Sequence, residues 1–151
     1  MAVDVSLQTV EPAPTAVVMA TTTWTAFPAQ WKPMLDAVWS FLASAPEGLH
    51  THGHNVMLYK DGVPNVEVGV LVNGPFEPAG DVRPSHTPGG LVARATHTGP
   101  VARLGETYEA IHAWCSRHGY RPDGPRWEIY GDPDPGTGVF AVEVLVSVVA
   151  A

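Results

Sequence analysis

The chain has 151 residues, the length of one ordinary domain, and 45% of them are hydrophobic, enough for a core without disulfide or metal staples. Fifteen carboxylates against eight Lys and Arg leave a net charge of -7, which argues against a nucleic-acid surface, where clustered basic residues neutralise phosphates. A single cysteine, Cys115, excludes an internal disulfide, and no apolar run approaches the roughly 20 residues that span a bilayer.

No basic stretch followed by an apolar core opens the chain, so no secretory signal is visible and a soluble cytoplasmic protein is the expectation. Val3 to Val10 alternates Val3, Val5 and Leu7 with Asp4, Ser6 and Gln8, and reads as a strand that Glu11-Pro12 breaks. Ala16 to Trp24, rich in Val and Thr, is a second strand. A helix follows Phe27-Pro28 to about Ala45, with Trp31, Leu35, Val38 and Leu42 at helical spacing. Either Pro28 or Pro33 suits its first turn, where a missing N–H loses no hydrogen bond. Asn55 to Tyr59 and Val66 to Val72 are strands joined through the turn signal Asp61-Gly62. Asn73 to Gly90 lacks periodicity, contains four prolines and reads as a linker.

The pattern then restarts. Leu91 to His97 is a strand, and Val101 to His118 a helix with Val101, Leu104, Tyr108, Ile111 and Cys115 on one stripe and Gly119 at its end. Arg126 to Tyr130 and Phe140 to Val148 are the closing strands. Val66-Glu67-Val68 mirrors Val142-Glu143-Val144, Trp39 mirrors Trp114, and Tyr59 mirrors Tyr130. Two copies are too few for a solenoid. They predict an α+β domain of duplicated β-α-β-β units, about 1–72 and 91–149, with pseudo-twofold symmetry. A curved antiparallel sheet would carry both helices and leave a central ligand cleft.

Chemistry concentrates in Gly124-Pro125-Arg126-Trp127-Glu128-Ile129-Tyr130-Gly131. Alternation places Glu128 and Tyr130 on one face of a strand and Trp127 and Ile129 on the other. On pattern alone, a solvated strand carboxylate is the ordinary reading of Glu128. Glu67 and Glu143 lie opposite the valine face, pointing toward a cleft if the valines pack on the helices. Trp31 and Trp39 read as core, while Trp24 and Trp114 suit either core or a ligand wall. Cys115 on an apolar stripe reads as a small buried hydrophobe. His50, His52 and His54 alternate in a loop without an acid or cysteine to complete a metal spacing, so no metal is expected. His97 and His112 read as ordinary hydrogen-bonded histidines. No Gly-x-Ser-x-Gly or phosphate-loop spacing is present.

The order Pro88-Gly89-Gly90-Leu91-Val92-Ala93, His97-Thr98-Gly99-Pro100, Leu104, Tyr108, Trp114, then Gly124 to Tyr130, resembles the GyrI-like small-molecule-binding domains. These are also the effector-binding domains of AraC-type and MerR-type regulators. The resemblance implies a duplicated β-α-β-β fold whose cleft takes bulky aromatic, often cationic, compounds. Glu128 would meet the positive charge, with Tyr130, Trp127, Tyr59, Tyr108, Trp114, Trp24, Glu143 and Glu67 around it. No cofactor is implied, and no DNA-reading segment is visible, so direct nucleic-acid binding is not expected. The resemblance leaves two alternatives: a hydrolase of electrophilic, cyclopropane-bearing compounds that uses Glu128 and Tyr130, or a gyrase-inhibitor-type interaction with a protein. The sequence does not address a homodimer.

Overall fold

Strict alternation of β-branched residues yields strands wherever it persists, and helical spacing of apolar residues yields the two helices. The computed structural model describes residues 3–151. Its strands are β1 (Val5–Val10), β2 (Pro14–Thr21), β3 (Asn55–Tyr59), β4 (Asn65–Leu71), β5 (Arg83–His86), β6 (Gly90–Thr98), β7 (Tyr120–Pro133) and β8 (Phe140–Ala150). Its helices are α1 (Phe27–Ala43) and α2 (Leu104–His118), the second entered through a 3-10 turn at Val101–Arg103.

The chain divides into two compact units. One is Pro12–Pro88; the other joins the segment through Glu11 to Gly89–Ala151. In the first, the strand order is β3-β4-β2-β5, all neighbours antiparallel. Ala16, Val38, Val70, Val72 and Val82 form its buried centre, with Leu35, Phe41 and Leu42 of α1 packed against them. Pro28 stands in the first turn of α1 and Pro33 lies inside the helix. Gly69 lets β2 and β4 approach closely, because a Cβ there would stand 1.8 Å from the Ala16 carbonyl oxygen.

In the second unit the order is β1-β6-β8-β7, again antiparallel. Ala93, Ala95, Val142, Val144, Val146 and Val148 from the sheet bury against Ile111 and Cys115 of α2. Leu104 and Tyr108 extend that helix stripe over the same cluster. Gly119 ends α2 at a φ of 79°, a left-handed conformation that glycine adopts without a Cβ penalty.

Two expectations change. The stretch 1–72 was expected to form one repeat, but β1 pairs with β6, Val5 opposite Ala95 through Val10 opposite Gly90, and so belongs with the later half. Alternation identifies a strand but not its neighbour, and the Glu11-Pro12 break is where the chain passes from one unit to the other. The expected linker 73–90 contains β5, which pairs with β2 from Pro14 opposite His86 to Val17 opposite Arg83. A four-residue strand containing Pro84 has no alternation to reveal it, and at a sheet edge the missing N–H of proline is tolerated.

Candidate functional site

Strand register decides which candidate residues meet. On β7, Arg126, Glu128 and Tyr130 stand opposite Val146, Val144 and Val142 of β8. Residues directly opposite in an antiparallel pair project to the same face. These three polar residues therefore share the valine face, the one that α2 covers. Trp127 and Ile129 stand opposite Leu145 and Glu143 and project to the other face.

Tyr108 comes down from α2, three residues before the buried Ile111, onto that face. Its hydroxyl donates to Glu128 Oε2 at 2.6 Å, and the Tyr130 hydroxyl donates to Oε1 at 2.8 Å. Both carboxyl oxygens of Glu128, a residue only 3% exposed, are thus held by phenols. The Arg126 guanidinium lies over the Tyr108 ring, 5.0 Å from its centroid. Burial pushes the Glu128 carboxyl above its ordinary range, while the Tyr108 and Tyr130 hydrogen bonds and the charge of Arg126 pull it back. Removing a carboxylate from water costs several kcal/mol, so the phenols and the guanidinium offset part of that cost.

Other candidates stand apart from these oxygens. Trp127 is 1% exposed on the opposite face. Glu143 also lies on that face, where it accepts from Arg94 Nε at 3.0 Å and Thr96 Oγ1 at 2.8 Å. Glu143, which the resemblance sets around Glu128 on the cleft side, therefore projects to the opposite face. The valines of β8 pack on α2 and so does Glu128, whereas Glu143 alternates away from them. Trp114 stacks on His118 and Tyr120 at the end of α2, with ring centroids at 4.3 and 6.0 Å.

Within the other unit, Tyr59 stands opposite Val66 of β4, as Tyr130 stands opposite Val142 of β8. Its ring contacts Trp24 at 5.5 Å and Phe27, edge to face, at 5.7 Å. Glu67 is buried in this unit, ion-paired with Lys60 and accepting from Ser85 Oγ at 2.6 Å. It stands opposite Leu58 and Met19, so it projects to the face that Tyr59 does not share. Its partners are thus Lys60 and Ser85 of its own unit.

His97 is buried, its Nε2 donating to the Pro100 carbonyl at 2.9 Å and its Nδ1 meeting Thr107 Oγ1 at 2.8 Å. It ties β6 to the first turn of α2 and so fixes the helix that carries Tyr108. Cys115 is buried, and burial raises its thiol pKa. Among the described residues, no three His, Cys, Asp or Glu side chains stand where they could hold a metal.

Two neighbours escaped the candidate set. Arg126 was legible as the i−2 partner of Glu128 on one strand face. Phe27 was visible as the first apolar residue of α1, but nothing in its spacing indicated contact with Tyr59.

These features define an α+β class of protein: antiparallel strands with one helix in each unit. The chain belongs to the family of GyrI-like small molecule binding domains, whose model matches residues 4–149. No curated protein sequence matches it. Among solved structures, it is similar to the EcmrR C-terminal domain, at 17% identity over 100% of both chains and a TM-score of 0.80. It is also similar to SAV2435, solved bound to tetraphenylphosphonium, at 10% identity over 97% of this chain and 94% of that one, with a TM-score of 0.63. A hydrolase from Listeria innocua matches at 11% identity over 96% and 91%, with a TM-score of 0.59. At these identities the likeness shows the shared fold. Among the described residues, no helix is long and apolar enough to cross a membrane.

Proposed function

We propose that this domain binds bulky aromatic cations at the Glu128 side chain. One observation carries the reading: a buried carboxylate whose two oxygens are both held by phenol hydroxyls. Its position above an apolar core imposes a desolvation cost that an arriving organic cation relieves. Tyr108 and Tyr130 hold the oxygens in place and offer ring faces to a cation, each good contact contributing about 0.5–2 kcal/mol. The same charge repels anions. The fold shared with SAV2435, a protein solved with a tetraarylphosphonium, supports the ligand class. The domain acts without a cofactor, in the cytoplasm, where its one thiol stays reduced.

The test is calorimetric titration with tetraphenylphosphonium and with neutral triphenylphosphine oxide. In Glu128→Gln, nearly isosteric, the cation should bind at least about tenfold more weakly (about 1.4 kcal/mol). The neutral compound should change less than about twofold. Equal losses for both would remove Glu128 from the assigned role.

The same carboxylate also supports a second reading. Burial moves its pKa upward, toward the range of a general base, and Tyr130 supplies an adjacent hydroxyl donor. Glu128 would then activate water against a strained electrophilic ring. Chromatography with mass detection separates the two: intact compound after incubation supports binding, and turnover lost in Glu128→Gln supports hydrolysis.

A further inference from the structure

A site that binds cations through one buried carboxylate presents that charge to its ligand. Here the charge already has company from the same strand. Arg126 and Glu128 are two residues apart on β7, opposite Val146 and Val144, and project to one face. Tyr108 touches both. Its hydroxyl donates to Glu128 Oε2 at 2.6 Å, while the guanidinium lies 5.0 Å from its ring centroid. One phenol thus offers its polar end to the anion and its π face to the cation. A planar, weakly hydrated guanidinium on an aromatic face is the side-chain version of an aromatic organic cation.

We propose that Arg126 is a built-in occupant of the Glu128 site and sets its specificity, so that a cationic ligand binds by exchanging with this guanidinium. The inference rests on the reading of Glu128 as a cation-binding acid. Three consequences follow from the geometry. A small inorganic cation brings no aromatic contact and does not displace the side chain. A bulky aromatic cation replaces both the charge beside Glu128 and the contact with the Tyr108 ring. A neutral aromatic compound gains nothing from the exchange, because it would leave Glu128 without a positive neighbour. Arg126 is half-buried, on a flexible stem that can swing toward water when displaced. Its charge also lowers the Glu128 pKa, consistent with a guanidinium close enough to be felt by the carboxylate.

The experiment measures tetraphenylphosphonium affinity by calorimetry for the wild-type chain, Arg126→Met, Arg126→Gln, Arg126→Lys and Glu128→Gln. Circular dichroism confirms the fold of each variant. Arg126→Met and Arg126→Gln should each bind the phosphonium about tenfold more tightly than wild type. Arg126→Lys, which keeps the charge but loses the planar contact with the Tyr108 ring, should gain clearly less than either neutral variant. Triphenylphosphine oxide, with no charge to pair with Glu128, should remain the weaker ligand in every variant that keeps the acid. Unchanged or weaker phosphonium binding in both Arg126→Met and Arg126→Gln overturns the proposal. So does an equal gain in Arg126→Lys, which would credit space rather than charge. These failures are separable from failure of the underlying reading. If Glu128→Gln still abolishes cation preference, the acid keeps its role and only the exchange is refuted. If Glu128→Gln has no effect, both fall together.

Discussion

Replacing Tyr108 with Phe deletes one hydroxyl and keeps the ring that packs on the α2-facing core. The lost bond is the 2.6 Å donation to Oε2 of Glu128, a residue only 3% exposed. A hydrogen bond to a charged group contributes about 1.5–3 kcal/mol, and water reaches this oxygen poorly. Tyr108→Phe should therefore destabilise the fold by about 1.5–3 kcal/mol at pH 7. That corresponds to about 3–12 °C in Tm for a chain of this length. Urea unfolding monitored by tryptophan fluorescence measures it. In the Glu128→Gln background the same deletion removes only a neutral bond, worth about 0.5–1.5 kcal/mol. The double-mutant cycle should thus show a coupling of about 1 kcal/mol or more. The penalty should also shrink in acid, once Glu128 is protonated. An identical loss in both backgrounds and at both pH values would refute the claim that Tyr108 supports a buried charge.

Two further outcomes concern the Glu128 proton and the close approach of β2 and β4. Burial raises the Glu128 pKa above its ordinary 4.5, so the folded state holds that proton more tightly than the unfolded chain does. Its contribution to stability is therefore greatest below the unfolded value and falls as pH rises through the raised folded pKa. Glu128→Gln should flatten that part of a stability-versus-pH curve measured by urea titration; an unchanged slope would contradict the shift. Gly69→Ala should destabilise the Pro12–Pro88 unit by about 1–3 kcal/mol, toward the upper end, because its Cβ would lie 1.8 Å from a backbone oxygen that no rotamer change can move. Thermal melts of the variant check this, and a wild-type Tm would show that β2 and β4 separate freely.

Local pattern made much of this protein legible. The run Asn55 to Tyr59 before the Asp61-Gly62 turn, and the alternation of Val66 to Val72, marked β3 and β4 to within a residue or so. The Leu104, Tyr108, Ile111 and Cys115 stripe marked the buried face of α2, and Gly119 marked its end. The Glu128–Tyr130 pairing was visible because side chains two apart on a strand share a face. The motif order from Pro88 to Tyr130 was enough for the family.

What the chain could not display by itself is how one strand lies against another. Period-two alternation fixes faces within a strand, but the sign of each face is set by its neighbour's register. Only the pairing of Glu128 with Val144 placed that acid under α2 and sent Glu143 to the opposite side with Arg94. Register likewise joined β1 to β6, Val5 to Ala95 and Val10 to Gly90, and gave Glu67 to Lys60 and Ser85. The contact between Tyr108 and Glu128 arises from a helix packing onto a sheet, a distance that no sequence spacing encodes.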